Sequence, residues 1–195
     1  LIISLSSDFF FHPKTNENNI SLNHDLPYYL NKPFPYIVLK NTSHIMNSQY
    51  SAGVLPYTMD KKGNILFLLG LDSNGWSDFG GHCEIEDQGD PRTTAAREFF
   101  EETLGSVMNI CSSNFVFYKQ PKPLLVKSRT LNGSQYFSYI IKIDYRDYRS
   151  IFKKVLSYLT YVKTPLKHME KKDIRWFTID DLERETLNLR SVFKN

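Results

Sequence analysis

The chain has 195 residues, of which 41% are hydrophobic, 14% aromatic and 23% charged, a composition typical of a folded domain with a substantial core. No apolar run approaches the roughly 20 residues that cross a bilayer, and the opening stretch LIISLSS lacks the basic start and cleavage pattern of a secretory signal. Because its two cysteines are too few for a disulfide framework, the sequence predicts a cytoplasmic protein without a membrane partner.

The formal net charge of +3 is distributed unevenly along the chain. Residues 80–102 carry seven acidic and two basic side chains, whereas residues 146–195 carry seven acidic and twelve basic ones. A basic segment beside an acidic centre would attract a phosphorylated substrate. Lys167, Lys171 and Lys172 are then candidates for contacts with phosphate or RNA, although a solvated surface is the simpler explanation of these lysines.

Two regions are expected along the chain. Residues 1–48 are predicted to be an irregular extension with one short strand at Tyr36–Lys40, and residues 49–195 to form a single domain. Runs of strand length in the domain are YSAGVLPYT, NILFLLGLD, NFVFYKQ, PLLVKS, SQYFSYIIKID and KKDIRWFTI. The first two are joined by MDKKG, a hairpin turn, and the stretch WSDFGG that follows them is predicted to break at Gly80–Gly81.

The strongest helix signals lie in the stretch DPRTTAAREFFEETLG. Asp90 is predicted as its N-cap, Pro91 as its first helical residue and Gly105 as the residue just past its end. A second helix is predicted at Asp147–Val162 from apolar residues that recur at intervals of three and four.

A terminal helix is predicted in DDLERETL, with Asp180 or Asp181 as its cap. The predicted strands therefore surround two substantial helices without strict alternation. This order favours an α+β fold, a mixed sheet sandwiched by helices, over a doubly wound sheet.

The first helix places several carboxylates together. At 100° per residue, Glu98 and Glu102 lie one above the other and Glu101 flanks them, while Phe99 points towards a core. The like charges repel one another, and a hard divalent cation such as Mg²⁺ or Mn²⁺ would reverse that repulsion. Arg97 is placed to brace the carboxylates or to contact a phosphate. An ordinary solvated helix face is the alternative.

The spacing of these residues resembles the signature of the Nudix hydrolases, which is Gly, five residues, Glu, seven residues, then Arg-Glu-apolar-any-Glu-Glu-any-Gly. The residues that match are Gly81, Arg97, Glu98, Phe99, Glu101 and Glu102. Three features depart from the signature. Asp87 replaces the first Glu, nine residues instead of seven separate it from Arg97, and Leu104 is inserted before Gly105.

The resemblance implies a Nudix-type α/β/α sandwich and a metal-dependent hydrolase that cleaves a diphosphate linkage in a nucleoside-diphosphate-X substrate. The metal would be Mg²⁺ or Mn²⁺. The implied metal ligands are Glu98, Glu101, Glu102 and the carbonyl of Gly80. The implied catalytic residues are Arg97, Glu101, Glu102 and Glu170, and the last three are equal candidates for the general base.

The substrate itself is left open. The first group of candidate substrates is a nucleotide, ADP-ribose or a nucleotide sugar. Capped messenger RNA and a diphosphoinositol phosphate are the alternative substrates. The alternative of another class is a non-catalytic module that binds nucleotide or RNA. No protein partner is evident. The candidate substrate-binding residues are Trp76, Phe79 and Arg92, with Tyr136 as a further stacking candidate. His82 and Cys83 lie beside the motif but lack partners for a nucleophilic or zinc site.

Overall fold

The computed structural model describes residues 50–117, 122–130, 132–165, 169–184 and 186–190. Seven strands lie in this part of the chain: β1 Tyr50–Met59, β2 Ile65–Asp72, β3 Gly75–Ser77, β4 Phe79–His82, β5 Leu124–Arg129, β6 Gln135–Lys142 and β7 Asp173–Thr178. The helices are α1 Pro91–Glu102, α2 Ile110–Val116, α3 Tyr148–Tyr161 and α4 Ile179–Glu183. The predicted extension at residues 1–48, with its strand at Tyr36–Lys40, lies outside the described residues, and so does Lys167.

All seven strands belong to one mixed sheet with β1 near its centre. Strand β1 runs parallel to β6 along one edge, from Tyr50 opposite Gln135 to Tyr57 opposite Lys142. Its other edge is shared by two antiparallel partners, β4 along its first half and β2 along its second half. Strand β7 pairs with β2 and strand β5 with β6, both antiparallel. The start of β1 therefore lies beside the end of β4 and the start of β6.

The two faces of the sheet are covered by different elements. On one face, Val54 and Leu68 pack with Phe99 of α1 and Phe152 of α3, and all four side chains are buried. On the other face, a smaller cluster built on Leu55, Leu69 and Trp76 is covered by Leu182 of α4 and by Leu187 and Leu189. Adjacent residues of β1 and β2 thus point to opposite layers, as the period of two in a strand requires. The predicted α+β sandwich around a mixed sheet is confirmed.

Most of the predicted elements form close to their predicted bounds, with three differences. The stretch NFVFYKQ is predicted as a strand, but its first part is the end of α2, which begins after Asn109. The Asn109 side chain accepts a hydrogen bond from the backbone N–H of Ser112 at 2.8 Å, an N-cap that starts a helix. This local cap prevails over the β-propensity of Phe115 and Val116.

The predicted break at Gly80–Gly81 is also wrong, because both glycines lie inside β4 and pair with Gly53 and Ala52 of β1. A Cβ on Gly80 would lie 2.4 Å from the Tyr136 hydroxyl and 2.6 Å from Cα of Gly53. The absence of side chains therefore allows two strands to approach closely rather than ending one of them.

The cap of the last helix differs as well. Thr178, not Asp180 or Asp181, is the N-cap of α4, and its hydroxyl accepts from the backbone N–H of Asp181 at 3.1 Å. Asp181 closes the reciprocal half of a capping box by accepting from the backbone N–H of Thr178. Among the residues that the structure describes, none of the helices combines the length and apolar character needed to cross a membrane.

Candidate functional site

The carboxylate-bearing helix α1 begins where the sequence predicts. Asp90 is its N-cap and accepts from the backbone N–H of Arg92 at 3.0 Å, and Pro91 is its first residue. The helix ends at Glu102, and Leu104 and Gly105 follow in the left-handed conformation with φ values of 53° and 64°. The inserted Leu104 therefore falls in the turn after the helix and leaves the spacing of the glutamates unchanged.

Arg97 is the centre of the site. Its guanidinium donates to both oxygens of Asp87 at 3.0 Å, to Glu98 at 2.9 Å and to Glu101 at 3.1 Å. It also donates to the carbonyl of His82 at 2.9 Å, at the end of β4. A planar guanidinium with five N–H donors suits such a junction. Arg97 thus holds the loop, the strand and two glutamates of the helix in one arrangement.

Asp87 anchors the lengthened loop before α1. Only 1% of its side chain is exposed, and its carboxylate accepts from Arg97, from the backbone N–H of Glu84 and from the hydroxyl of Thr94. Burial alone would raise the pKa of Asp87, but these hydrogen bonds and the charge of Arg97 hold it below the usual value. The loop is accommodated by Gln88 and Gly89, which take positive φ angles of 54° and 75°. The two extra residues are absorbed there, away from the helix.

Glu98 lies against β4. A Cβ on Gly81 would lie 2.4 Å from one Glu98 oxygen, so the glycine makes room for this carboxylate. Burial raises the pKa of Glu98 to about 7; Arg97 opposes the shift, and the charges of Glu101 and Glu170 add to it. Glu170, predicted from its place before β7, is therefore near enough to Glu98 to interact with it. Glu101 itself is half exposed.

Glu102 has a different environment from the other two glutamates of α1. Its side chain is 6% exposed; one oxygen accepts from the backbone N–H of Gly80 at 2.7 Å, and the other lies 3.3 Å from the ammonium of Lys171. Burial raises the pKa of Glu102 to about 8; Lys171 opposes this shift, and the charge of Glu98 adds to it. The three glutamates share a helix but do not share one pocket.

The environment of Lys171 differs from the one that the sequence predicts. The sequence predicts a surface lysine, whereas its side chain is 0% exposed and its ammonium contacts Asp72, Ser77 and Glu102. No local sequence pattern predicts that Lys171 is buried, because the run MEKKD is typical of a polar loop. The one available signal is the pairing of β7 with β2, which brings Lys171 beside the end of β2 and can be seen only in the folded sheet.

The predicted substrate-binding residues do not surround the glutamates. The Phe79 ring is fully buried against Phe99, and Trp76 is 7% exposed and packs against Phe177. The Tyr136 hydroxyl donates to the buried carboxylate of Asp78 at 2.8 Å. Both rings belong to the core clusters of the sheet, and a role for Phe79 or Trp76 in substrate binding stays a prediction.

Arg92 and the pair His82–Cys83 have local contacts. The Arg92 guanidinium donates to both oxygens of its own cap residue, Asp90, at 2.9 to 3.2 Å. The Nδ1 atom of His82 lies 3.0 Å from the hydroxyl of Ser51 on the neighbouring strand. Cys83 packs against the main core cluster.

Three carboxylates of the site are hard oxygen donors, the type that Mg²⁺ or Mn²⁺ prefers: Glu98, Glu101 and Glu170. Burial raises the pKa of Glu98, and the charges of Glu101 and Glu170 add to that shift. Within the described ranges, no group of three or more carboxylate, imidazole or thiol side chains converges closely enough to enclose an ion. Arg97 bridges Glu98 and Glu101, and Lys171 pairs with Glu102. The residues therefore match a divalent cation in donor type and charge, but within the described ranges their side chains do not converge on one point.

No model of a known family and no curated protein sequence matches the chain. Solved structures with a similar fold include the NUDIX domain of Shewanella oneidensis NrtR complexed with ADP ribose. Its sequence is 14% identical, the match covers 70% of this chain and 77% of that chain, and the TM-score is 0.41. A C. elegans Ap4A hydrolase has 18% identity over 68% of this chain and 82% of that one, with a TM-score of 0.40. The C-terminal domain of mouse MUTYH, in complex with human PCNA, has 12% identity over 75% and 82%, with a TM-score of 0.45. Likenesses this distant assign no activity, substrate or metal to this chain.

Proposed function

We propose that this chain is a Nudix-type, metal-dependent hydrolase that cleaves a diphosphate linkage in a nucleoside-diphosphate-X substrate. The observation that carries the proposal is the junction at Arg97, where the acid of the loop and two glutamates of α1 meet on one guanidinium. Arg97, Glu98 and Glu101 are among the residues by which the sequence resembles the Nudix signature. Of the three departures from that signature, the longer loop and the inserted Leu104 lie outside the junction, and the third, Asp87, keeps an acidic side chain in contact with Arg97. A nucleotide, ADP-ribose or a nucleotide sugar is the proposed substrate class.

The proposed cofactor is Mg²⁺ or Mn²⁺, and the proposed ligands are the carboxylates of Glu98, Glu101 and Glu102 with the carbonyl of Gly80. When bound, such an ion supplies a Lewis acid that polarises the diphosphate and lowers the pKa of an attacking water. Arg97 holds Glu98 and Glu101 in fixed positions, so that their charges are organised before substrate arrives.

A general base must take the proton of the attacking water. Glu102 is poorly suited to this role, because both of its oxygens are engaged by Gly80 and Lys171. Glu101 is half exposed and Glu170 is exposed, so each can reach a water molecule. We therefore propose Glu101 or Glu170 as the base.

A screen with Mg²⁺ or Mn²⁺ tests the proposed activity. The substrates are nucleoside triphosphates, ADP-ribose, nucleotide sugars, capped RNA and diphosphoinositol phosphates, and Glu98→Gln is the blank. Glu98→Gln is a better blank than Glu102→Gln, because the latter leaves the buried ammonium of Lys171 short of a charged partner. Glu86→Gln, a charge loss at an exposed position of the loop, is the matched control and keeps full activity. The hydrolase assignment fails if no substrate separates the wild type from Glu98→Gln.

One observation favours the alternative class, a non-catalytic module that binds nucleotide or RNA. Among the described residues, the acidic side chains form no closed set of three around a common point. Isothermal titration of Mn²⁺ distinguishes the two proposals. An enzyme binds the ion in a manner that Glu98→Gln weakens, whereas a binding module retains nucleotide affinity in the absence of any divalent ion.

A further inference from the structure

Lys171 has no contact with solvent, and its ammonium reaches three acceptors. These are Asp72 at 3.1 Å, the hydroxyl of Ser77 at 3.0 Å and Glu102 at 3.3 Å. An ammonium has three N–H donors, so each donor has a partner. Removing such a charge from water costs several kcal/mol unless partners compensate it, and these three partners provide that compensation.

The space that Lys171 occupies depends on a glycine of the neighbouring strand. A Cβ on Gly70 would lie 2.9 Å from Cδ and 3.0 Å from Cε of the lysine, and 2.9 Å from the ring of Phe79. The lysine stem therefore passes over the one position of β2 in this region that has no side chain. Arg190 adds a second cation 3.6 Å from Asp72.

Glu102 is fixed by this network from two directions. The backbone N–H of Gly80 binds one oxygen and Lys171 binds the other, so the carboxylate has little freedom to rotate. Glu98 lies one helical turn earlier, and its charge raises the pKa of Glu102 further, while the ammonium of Lys171 favours the charged form.

We propose that Lys171 is a positioning residue, which together with the backbone N–H of Gly80 fixes the orientation of the Glu102 carboxylate at the inner end of the acidic site. The inference rests on the proposed function, because it assigns Glu102 to the metal-binding side of that site. Lys171 itself does not contact substrate. It acts through Glu102, as outer partners of metal-binding carboxylates do.

The test compares Lys171→Met, which keeps the length of the side chain and removes its charge, with Lys154→Met, the same change at an exposed position of α3. Mn²⁺ affinity by titration, and kcat and KM for a substrate that the screen identifies, are measured on folded protein. We expect Lys171→Met to lower Mn²⁺ affinity or kcat by about 10- to 100-fold with little change in KM, the usual effect of losing an outer partner of a ligand. Lys154→Met matches the wild type.

A second readout needs no activity. Thermal unfolding without metal is measured for Lys171→Met, for Glu102→Gln and for the double variant. Leaving one member of a buried pair alone lowers Tm by about 6–20 °C, and the double variant recovers most of that loss because neither charge remains unpaired. Equal and additive losses of Tm would show that the two side chains are not coupled, and the proposal would then be wrong.

The outcomes separate this proposal from the proposed function. If Lys171→Met folds and keeps the kcat and the Mn²⁺ affinity of the wild type, the lysine is only structural and the inference is overturned. If the wild type hydrolyses no substrate, the proposed function fails, while the unfolding cycle still decides whether Lys171 and Glu102 are coupled. Should Lys171→Met not fold, Ser77→Ala removes one partner of the ammonium and keeps every charge. A severalfold lower Mn²⁺ affinity in Ser77→Ala then supports the inference, and an unchanged affinity overturns it.

Discussion

Arg97 and Asp87 form a bidentate ion pair, with both nitrogen–oxygen distances at 3.0 Å, across ten positions of the chain. The pair ties the loop after β4 to the second turn of α1. Because 1% of the Asp87 side chain and 15% of the Arg97 side chain are exposed, water competes little for these hydrogen bonds. The lengthened loop is therefore fixed at one point, although its tip at Gln88 and Gly89 is exposed.

Asp87→Asn is expected to lower the free energy of unfolding by about 1.5–3 kcal/mol, the usual contribution of hydrogen bonds to a charged group. Arg97 keeps Glu98 and Glu101 as partners, so the protein still folds. Urea denaturation monitored by tryptophan fluorescence measures the loss. Glu86→Gln, one position away but exposed, is the control and changes the unfolding free energy little. An equal loss in both variants would show that the loop's net charge matters, rather than the ion pair.

Gly81→Ala and Gly80→Ala are predicted to have different consequences. At Gly81 the atoms nearest the new Cβ all belong to the end of the Glu98 side chain and none to the backbone, so the carboxylate is displaced from Arg97, the fold survives and activity falls. At Gly80 the new Cβ meets the backbone of Gly53 and the Tyr136 hydroxyl, and such overpacking costs about 1–3 kcal/mol of stability. Thermal unfolding and an activity assay on each variant distinguish the two effects. Loss of stability in Gly81→Ala equal to that in Gly80→Ala would contradict the prediction.

Phe79→Ala tests whether this ring belongs to the core or to the substrate site. The ring is fully buried and packs edge-on against Phe99 at a centroid distance of 5.5 Å. Truncation is expected to reduce the free energy of unfolding by about 3–5 kcal/mol. Phe79→Leu, which fills most of the space, loses less and retains the KM of the wild type. A raised KM with unchanged stability in Phe79→Leu would place Phe79 in the substrate site.

Asp173 is predicted to make stability dependent on pH in the acid range. Burial would raise its pKa, but hydrogen bonds from Arg149 and Arg175 and the charge of Lys153 hold it below 3.8, the unfolded value. A depressed pKa stabilises the fold fully above 3.8, and this contribution disappears as the pH falls through the lower, folded pKa. Asp173→Asn is therefore less stable than the wild type at neutral pH.

The gap between wild type and Asp173→Asn is expected to close as the pH falls below 3.8, where the wild-type carboxylate becomes protonated. Urea unfolding from pH 7 to pH 3 checks this. Arg184→Gln, which removes an exposed cation directly after α4, serves as a charge control. A gap that stays constant over the whole range would show that Asp173 acts through packing and not through its charge.

Features with local causes could be predicted from the sequence. The start of α1 is determined by two consecutive residues. Asp90 is predicted as the N-cap and Pro91 as the first helical residue, and the structure has both in these positions. The contact of Arg97 with Glu101, four positions later on the helix, follows from helical spacing. Such a contact can be predicted without knowledge of the rest of the fold.

Features with distant causes could not be predicted. The burial of Lys171 depends on Asp72, which lies 99 positions away, and on strand pairing that no local pattern shows. The continuation of β4 through Gly80 depends on how closely β1 approaches it. The α2 helix was missed for a different, local reason: a single cap at Asn109 prevails over residues that favour strands.

The close approach between Gly70 and the stem of Lys171 also has an evolutionary consequence. A methyl group at position 70 and a long buried side chain at position 171 cannot occupy the same space, since the Cβ would lie 2.9 Å from Cδ. The two positions should therefore covary among homologous chains. Sequences with a larger residue at position 70 are expected to have a short, uncharged side chain at position 171, and with it a different counter-ion for the last glutamate of the helix.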